Sequence, residues 1–426
     1  MRNVIKLLNQ IKTYAWGSPL WIPQLTGRNN SSGEPWAELW MGVHPQGPSA
    51  LDIPGEPPLL SGFIGKYPEL CLGETVIREF GALPFLFKLL AAAKPLSVQA
   101  HPNLAQARAG FERENAAGLS LEDPVRNYKD SNHKPEILCA LSPFRAMCGF
   151  REQHIIRALL EIFSKASLLR PATPLRAGFV RLMESLEQKD GDALQRFLLA
   201  LFDLPEKFRR ELSAYTLEQE PELNRTDPRH TEIWQNAAYF ARLYPGDPAV
   251  ISPLYLNLIS LAPGEAIFLP AGILHAYIEG LGVELMSNSD NVLRGGLTQK
   301  HVDTEELSRI LEFRPFAPAV LHPPKPAPSV FTYPAECLEF SLSVVRGKKK
   351  PSPFPIAGPA IVIVTEGRAV FSCPGKPGFS GPAESLSLEQ GESAFIPFLE
   401  KDAAIACSGS FTLYAAGTGV PPSSAL

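Results

Sequence analysis

Gly264-Glu265-Ala266-Ile267-Phe268-Leu269-Pro270-Ala271-Gly272-Ile273-Leu274-His275 spells G-x5-P-x-G-x2-H. The short apolar run from Ala266 to Leu269 between turn formers predicts a buried strand. Pro270 and Gly272 predict a reversal after it, and His275 then opens a returning strand. Four fixed positions at set spacing are far more specific than a lone histidine. Working outward, Leu96-Ser97-Val98-Gln99-Ala100-His101-Pro102-Asn103 places Gln99 and His101 two residues apart. In a strand, side chains repeat with a period of two, so an amide oxygen and an imidazole would share one face. Asn132-His133-Lys134-Pro135-Glu136 adds a carboxylate, with the cation Lys134 two residues before it. Gln99 and His101 alone would more often be satisfied polar neighbours. With Glu136 they form a nitrogen and oxygen donor set, free of thiolates, that reads as a catalytic rather than a structural metal site.

The chain has 426 residues, too many for one average core. A hydrophobic fraction of 45% with 20% charged residues is ordinary for a soluble globular protein. The formal net charge is −4, and Lys348-Lys349-Lys350 is the longest basic run, which argues against a nucleic-acid partner. Polar residues break the apolar ones between Met1 and Trp16, so neither a signal-peptide core nor a membrane span is expected. The 6 cysteines (Cys71, Cys139, Cys148, Cys337, Cys373, Cys407) are scattered without a Cys-x-x-Cys pair, as in a cytoplasmic protein with reduced thiols. With 42 prolines and 32 glycines, a turn-rich β architecture is favoured over a helical bundle.

Short strands are expected through the first 95 residues, among them Tyr14-Ala15-Trp16-Gly17 and Trp36 to Pro45. Glu38 and His44 in the latter fit an edge strand with a polar rim as well as a site. Lys88 interrupts the apolar run Leu83 to Leu90 and must snorkel, pair with a carboxylate or face a polar cavity. Residues 104 to 130 read as a helix and loop covering the site. From Arg151 to about Gly246 the apolar period lengthens to that of helices, and His154 and His230 there lack companion ligands. Strand character resumes at Ile251. The prolines from Pro315 to Pro328 predict an extended connector. A second strand-rich segment follows, in which Gly391 to Pro397 repeats the Gly-x5-Pro spacing without a following histidine. The expected fold is mainly β with a helical insert: a discontinuous catalytic domain (1–150 and 251–314), a helical domain (151–250) and a C-terminal β domain without metal (315–426).

The G-x5-P-x-G-x2-H stretch resembles the second motif of the cupin superfamily, which implies that both β domains are jelly rolls. That family often has Asn four residues after the histidine, where this chain has Glu279. More specifically, the chain resembles the type I mannose-6-phosphate isomerases (phosphomannose isomerases). The resemblance is carried by Tyr14-Ala15-Trp16-Gly17, Ala37-Glu38-Leu39-Trp40-Met41-Gly42, Leu83-Pro84-Phe85-Leu86-Phe87-Lys88, Gln99-Ala100-His101-Pro102, Asn132-His133-Lys134-Pro135-Glu136, His275-Ala276-Tyr277 and Ser289-Asp290-Asn291-Val292-Leu293-Arg294. It implies one zinc per chain on Gln99, His101, Glu136 and His275, with Arg294 in the active site. It implies interconversion of mannose 6-phosphate and fructose 6-phosphate, within carbohydrate metabolism and GDP-mannose biosynthesis. Gly295 departs from the family, where Ala is common, and is expected to loosen the backbone after Arg294. Gln299 stands where Pro is common.

Moving a proton between adjacent carbons through an enediolate needs a base, stabilisation of an oxyanion and an anchor for phosphate. Lys134 and Glu284 are both candidate bases, and sequence does not choose between them. Arg294 suits the enediolate or the phosphate, and Lys88, Lys300, Ser97 and Asp290 are candidate substrate contacts. A metal-dependent oxygenase on the same fold, or a non-catalytic sugar-binding cupin, are the alternatives. The former rarely uses a Gln ligand. The expected partner is a small sugar phosphate and the expected state a monomer or weak homo-oligomer.

Overall fold

The long strand His275–Ser287 is the axis of the catalytic half. Its first residues pair with Gln99–Ala100 and Phe144–Phe150, with His275 opposite both Gln99 and Cys148. Its later residues lie between Phe85–Ala92 and Glu136–Ala140. One strand can serve both pairings because it turns at Gly280, whose φ of 139° and closeness to the Phe144 ring leave no room for a side chain. Gln10–Ser18 and Trp36–Gly42 extend this ten-stranded antiparallel sheet.

The computed structural model describes residues 4–168, 173–187, 191–324, 326–347, 350–356, 358–373, 384–398 and 405–420. Lys348, Lys349 and the Cys373 side chain lie outside the described residues. Cys71, Cys139, Cys148, Cys337 and Cys407 are free thiols. No helix among the described residues is long and apolar enough to cross a membrane.

The change of period at Arg151 marks a real change of architecture. Gln153–Leu168, Pro174–Ser185, Ala193–Phe202, Glu206–Thr226 and Thr231–Leu243 are helices packed around Phe163, Phe179, Phe197, Tyr215 and Trp234. Their core continues into the sheet through Val98, Met147, Leu274 and Leu293, so the insert is not a detached unit. The strand expected from Ile251 starts at Leu256, after a 3₁₀ turn at Pro248–Ile251 and a helical turn at Ser252–Tyr255. Pro248 and Pro253 suit first-turn positions and cannot donate to a ladder. Leu60–Lys66, Pro68–Phe80 and Leu104–Ala116 are helices outside the insert. Helix and strand therefore take similar shares, and the chain is mixed rather than mainly β.

Residues from Val330 onward supply most of a second ten-stranded antiparallel sheet. It is completed from the other end of the chain. Ile5–Leu8 pairs with Ser393–Ile396 on one side and Ala50–Leu51 on the other. Its alternating burial turns Ile5 and Leu7 inward. One apolar layer, including Leu39, Phe87 and Leu285 of the first sheet and Leu342, Ile361 and Phe395 of the second, fills the space between the sheets.

Candidate metal centre and active site

Three strands bring the donors together. Gln99 and Glu136 come from neighbours of the long strand and His275 from its first position. The ligand atoms of His101, Glu136 and His275 all lie within 4.8 Å of one another, and all three residues are buried. His101 Nε2 is 3.3 Å from Glu136 Oε1, and His275 Nε2 is 3.5 Å from Glu136 Oε2. His101 follows rather than occupies the short strand Gln99–Ala100, yet Gln99 reaches the same point, its side-chain amide lying 3.5 Å from His275 Nε2.

Backbone carbonyls orient both imidazoles. His101 Nδ1 lies 2.7 Å from the carbonyl of Asn291, and His275 Nδ1 lies 2.9 Å from that of Ile273. A carbonyl can only accept, so each Nδ1 carries the proton and each Nε2 keeps a lone pair for the centre of the cluster. His101 Nε2 and Glu136 Oε2 are buried without a hydrogen-bond partner. Orphaned acceptors of this kind are costly in a folded core, so this donor set fits a single divalent ion. Burial pushes the His101 imidazole down to about 4, with the Lys134 charge acting in the same direction. Burial acts to raise the Glu136 carboxyl, but Lys134 and His101 outweigh it and hold the group well below its ordinary value. A neutral imidazole and an ionised carboxylate are the forms that bind a metal.

The cluster opens into a cavity of about 560 Å³. Gln99, Glu136, Lys134, Glu284, Lys88, Ser97, Asp290, Arg294 and Lys300 all line it, so the residues singled out in the sequence converge on one space. Lys134 Nζ is 3.1 Å from Glu136 Oε1. Lys88 is not a free cation: it sits 3.1 Å from Glu284 and 3.4 Å from Glu38. Asp290 pairs with His44 at 3.3 Å and accepts from Gln46 at 2.9 Å. Ser97 Oγ is 3.5 Å from Gln99 Oε1. Among the described residues neither Arg294 nor Lys300 pairs with a carboxylate, and burial lowers the pKa of both. Arg294 belongs to a two-residue strand opposite Gln99 rather than to a free loop. Glu279 turns away to an exposed pair with Arg145, His154 is exposed, and His230 pairs with Asp227.

Sequence reasoning missed several walls of the cavity. Tyr14 and Trp16 stack with ring centroids 5.5 Å apart and both line it. Tyr244 reaches it from the helical insert. A tyrosine at a helix end, followed by Pro245-Gly246-Asp247-Pro248, was the only local signal. The expected loosening at Gly295 is countered by its surroundings. Its N–H donates to Val98 at 2.7 Å, and a Cβ there would come within 3.2 Å of Leu307 and 3.3 Å of Leu274.

A family model of the phosphomannose isomerase type I catalytic domain matches residues 4–153. The mannose-6-phosphate isomerase of Escherichia coli (strain K12) is 38% identical over 396 residues, covering 92% of this chain and 94% of its own length. Mannose-6-phosphate isomerase 2 of Arabidopsis thaliana is 32% identical, covering 91% of this chain and 87% of its own. The apo crystal structure of mannose 6-phosphate isomerase from Salmonella typhimurium aligns with a TM-score of 0.84 at 34% identity, covering 99% of this chain and 100% of that one. A zinc-bound mannose 6-phosphate isomerase aligns with a TM-score of 0.84 at 35% identity, covering 98% of this chain and 100% of that one. With a His101, Glu136 and His275 cluster at its centre and relatives matched over nearly its whole length, the chain belongs to the type I phosphomannose isomerases, enzymes that interconvert an aldose and a ketose.

Proposed function

We propose that this chain binds one zinc ion through Gln99, His101, Glu136 and His275 and interconverts mannose 6-phosphate and fructose 6-phosphate through a cis-enediolate. The observation that carries this reading is the shared cavity, lined by Gln99 and Glu136 of the donor set and by Arg294 and Lys300, which pair with no carboxylate among the described residues. Zinc, when bound, supplies a Lewis acid at the sugar oxygens. Glu284 is the proton-transfer base. Burial raises its pKa, against the lowering effect of Lys88, which moves a carboxylate toward the range where it can both take and return a proton. It takes the proton from C2 of the aldose and returns it to C1, while the hydroxyl proton passes between the two oxygens. Lys134 lies on the metal side of the cavity and offers an N–H to the oxyanion. Arg294 and Lys300 hold the phosphate, and Asp290 and Ser97 contact the sugar hydroxyls.

Both β portions are proposed to be cupin-type jelly rolls, the C-terminal one without metal. The scattered free thiols support a cytoplasmic enzyme. An oxygenase is disfavoured by the fourth donor, Gln99, and by the cationic mouth; a non-catalytic sugar binder would not need Glu284 beside the donors. The test is transfer of solvent deuterium into product during turnover of mannose 6-phosphate by Glu284→Gln. Turnover and exchange should fall together by about 10²-fold or more. Wild-type exchange in that variant would pass the role of base to Lys134.

A further inference from the structure

The segment from Arg294 to Lys300 carries the two cations of the cavity that pair with no carboxylate among the described residues, and its backbone is forced. Gly296 lies at φ 113°, and buried Leu297 lies at φ 52°, the one non-glycine residue with positive φ among the described residues. Such a conformation persists only where the surroundings over-determine it. The segment is held from two sides. Toward the metal, Gly295 N–H donates to the Val98 carbonyl at 2.7 Å and Val98 N–H donates to the Gly296 carbonyl at 3.0 Å. On the other side stands a carboxylate of the helical insert, Asp247. Its Oδ2 accepts from Thr298 N–H at 3.2 Å, and its Oδ1 accepts from Ala249 N–H at 2.8 Å. Oδ1 lies only 2.9 Å from where a Cβ on Gly296 would stand, so the carboxylate sits directly against the turn.

The same corner of the insert grips the opposite wall. Tyr244 lines the metal cavity and donates its hydroxyl to the Pro95 carbonyl at 3.1 Å, just before Ser97 and Gln99. Asp247 itself does not line that cavity. It faces a second one of about 430 Å³ behind Thr298 and Gln299. Any effect it has on substrate must pass through the backbone it holds.

We propose that Asp247 is a positioning residue for sugar phosphate binding: its carboxylate fixes the Gly296–Thr298 turn and thereby the placement of Arg294 and Lys300 at the mouth of the cavity. The helical insert is then part of the binding apparatus, with the Asp247 carboxylate acting through the backbone of the Gly296–Thr298 turn. This rests on the reading of Arg294 and Lys300 as phosphate-binding groups.

The test measures KM for mannose 6-phosphate and the inhibition constant of inorganic phosphate in zinc-loaded Asp247→Asn, Asp247→Ala and Arg294→Ala, with zinc content and thermal midpoint in the same samples. In Asp247→Ala both constants should rise together by about tenfold with zinc retained. Asp247→Asn, which keeps one acceptor oxygen, should fall between it and wild type, and it carries the test alone if the alanine variant does not fold. Wild-type constants in the Asp247 variants, with both constants raised in Arg294→Ala, would overturn the positioning role and leave the phosphate reading standing. A lowered thermal midpoint with unchanged constants would also overturn it, as a purely structural role. Unchanged phosphate inhibition in Arg294→Ala would overturn the phosphate reading and this inference with it.

Discussion

Lys88 is a single buried ammonium between two buried carboxylates, 3.1 Å from Glu284 and 3.4 Å from Glu38, and Trp40 Nε1 donates to the far oxygen of Glu38 at 2.8 Å. Burial alone would pull its pKa down, but Glu38, Glu284 and Glu136 outweigh it and hold the lysine above its ordinary value. Removing one partner of such a group leaves uncompensated charge in the core, so Lys88→Met should destabilise the protein by about 3 kcal/mol or more. Glu284, whose pKa burial already raises, would lose the lowering effect of Lys88 and rise further in the folded state. Its stabilising protonation is present at low pH and lost as pH rises through the raised value, so the deficit should be larger at about pH 8 than at about pH 4. Denaturant unfolding of both proteins at the two pH values checks this; a small, pH-independent difference would contradict it. The need for a partner was legible in the sequence, because a lysine in an apolar run cannot stand alone. The identity of the partners was not. Glu284 lies 196 positions away, and only the register of Phe85–Ala92 against His275–Ser287 sets it opposite Lys88.

Among the elements, those read correctly owe their form to local chemistry. The Pro270 and Gly272 reversal before His275 is decided within a few residues, as is the switch to helical period after Arg151. Arg294 was less legible, because its place opposite Gln99 depends on a two-residue pairing between distant segments. The segment Asn132 to Glu136, which carries the candidate donor Glu136, is similarly braced from afar. His133 Nε2 lies 2.6 Å from Glu339, which comes from the C-terminal part of the chain and also accepts from Cys337 Sγ at 3.1 Å. Burial acts to raise the Glu339 carboxyl, but the hydrogen bonds from His133 and Cys337 outweigh it and bring it down to about 2. A depressed carboxylate stabilises the fold above its unfolded pKa, and that contribution is lost as pH falls from about 4.5 toward 2. Discounted for partial exposure, it amounts to about 1 kcal/mol. Glu339→Gln should lower stability at neutral pH by that order and flatten the acid limb of the stability curve. Parallel acid limbs in the two proteins would contradict the assignment.

At the scale of the molecule, the two ends of the chain share one sheet. Ile5–Leu8 lies between Ser393–Ile396 and Ala50–Leu51, so a boundary drawn at residue 315 leaves the C-terminal portion without a strand it uses. No local pattern announces such a pairing. The alternation of Ile5 and Leu7 shows only that some sheet buries them. Deleting residues through Leu8 should remove roughly 1.5–3 kcal/mol for each of these two side chains and expose two strand edges. The thermal midpoint should drop, and proteolysis within residues 330–417 should accelerate; an unchanged midpoint would contradict the shared sheet. His101, Glu136 and His275 could be singled out in the sequence because two motifs and a histidine at fixed spacing carry them, whereas their approach to within 4.8 Å of one another is a product of the whole fold. The most direct test of the account is metal analysis of the purified protein and of His275→Ala, with turnover of mannose 6-phosphate measured on the same samples. The account predicts one zinc per chain in the first, and joint loss of zinc and activity in the second. Stoichiometric zinc in His275→Ala, or full turnover without metal, would contradict it.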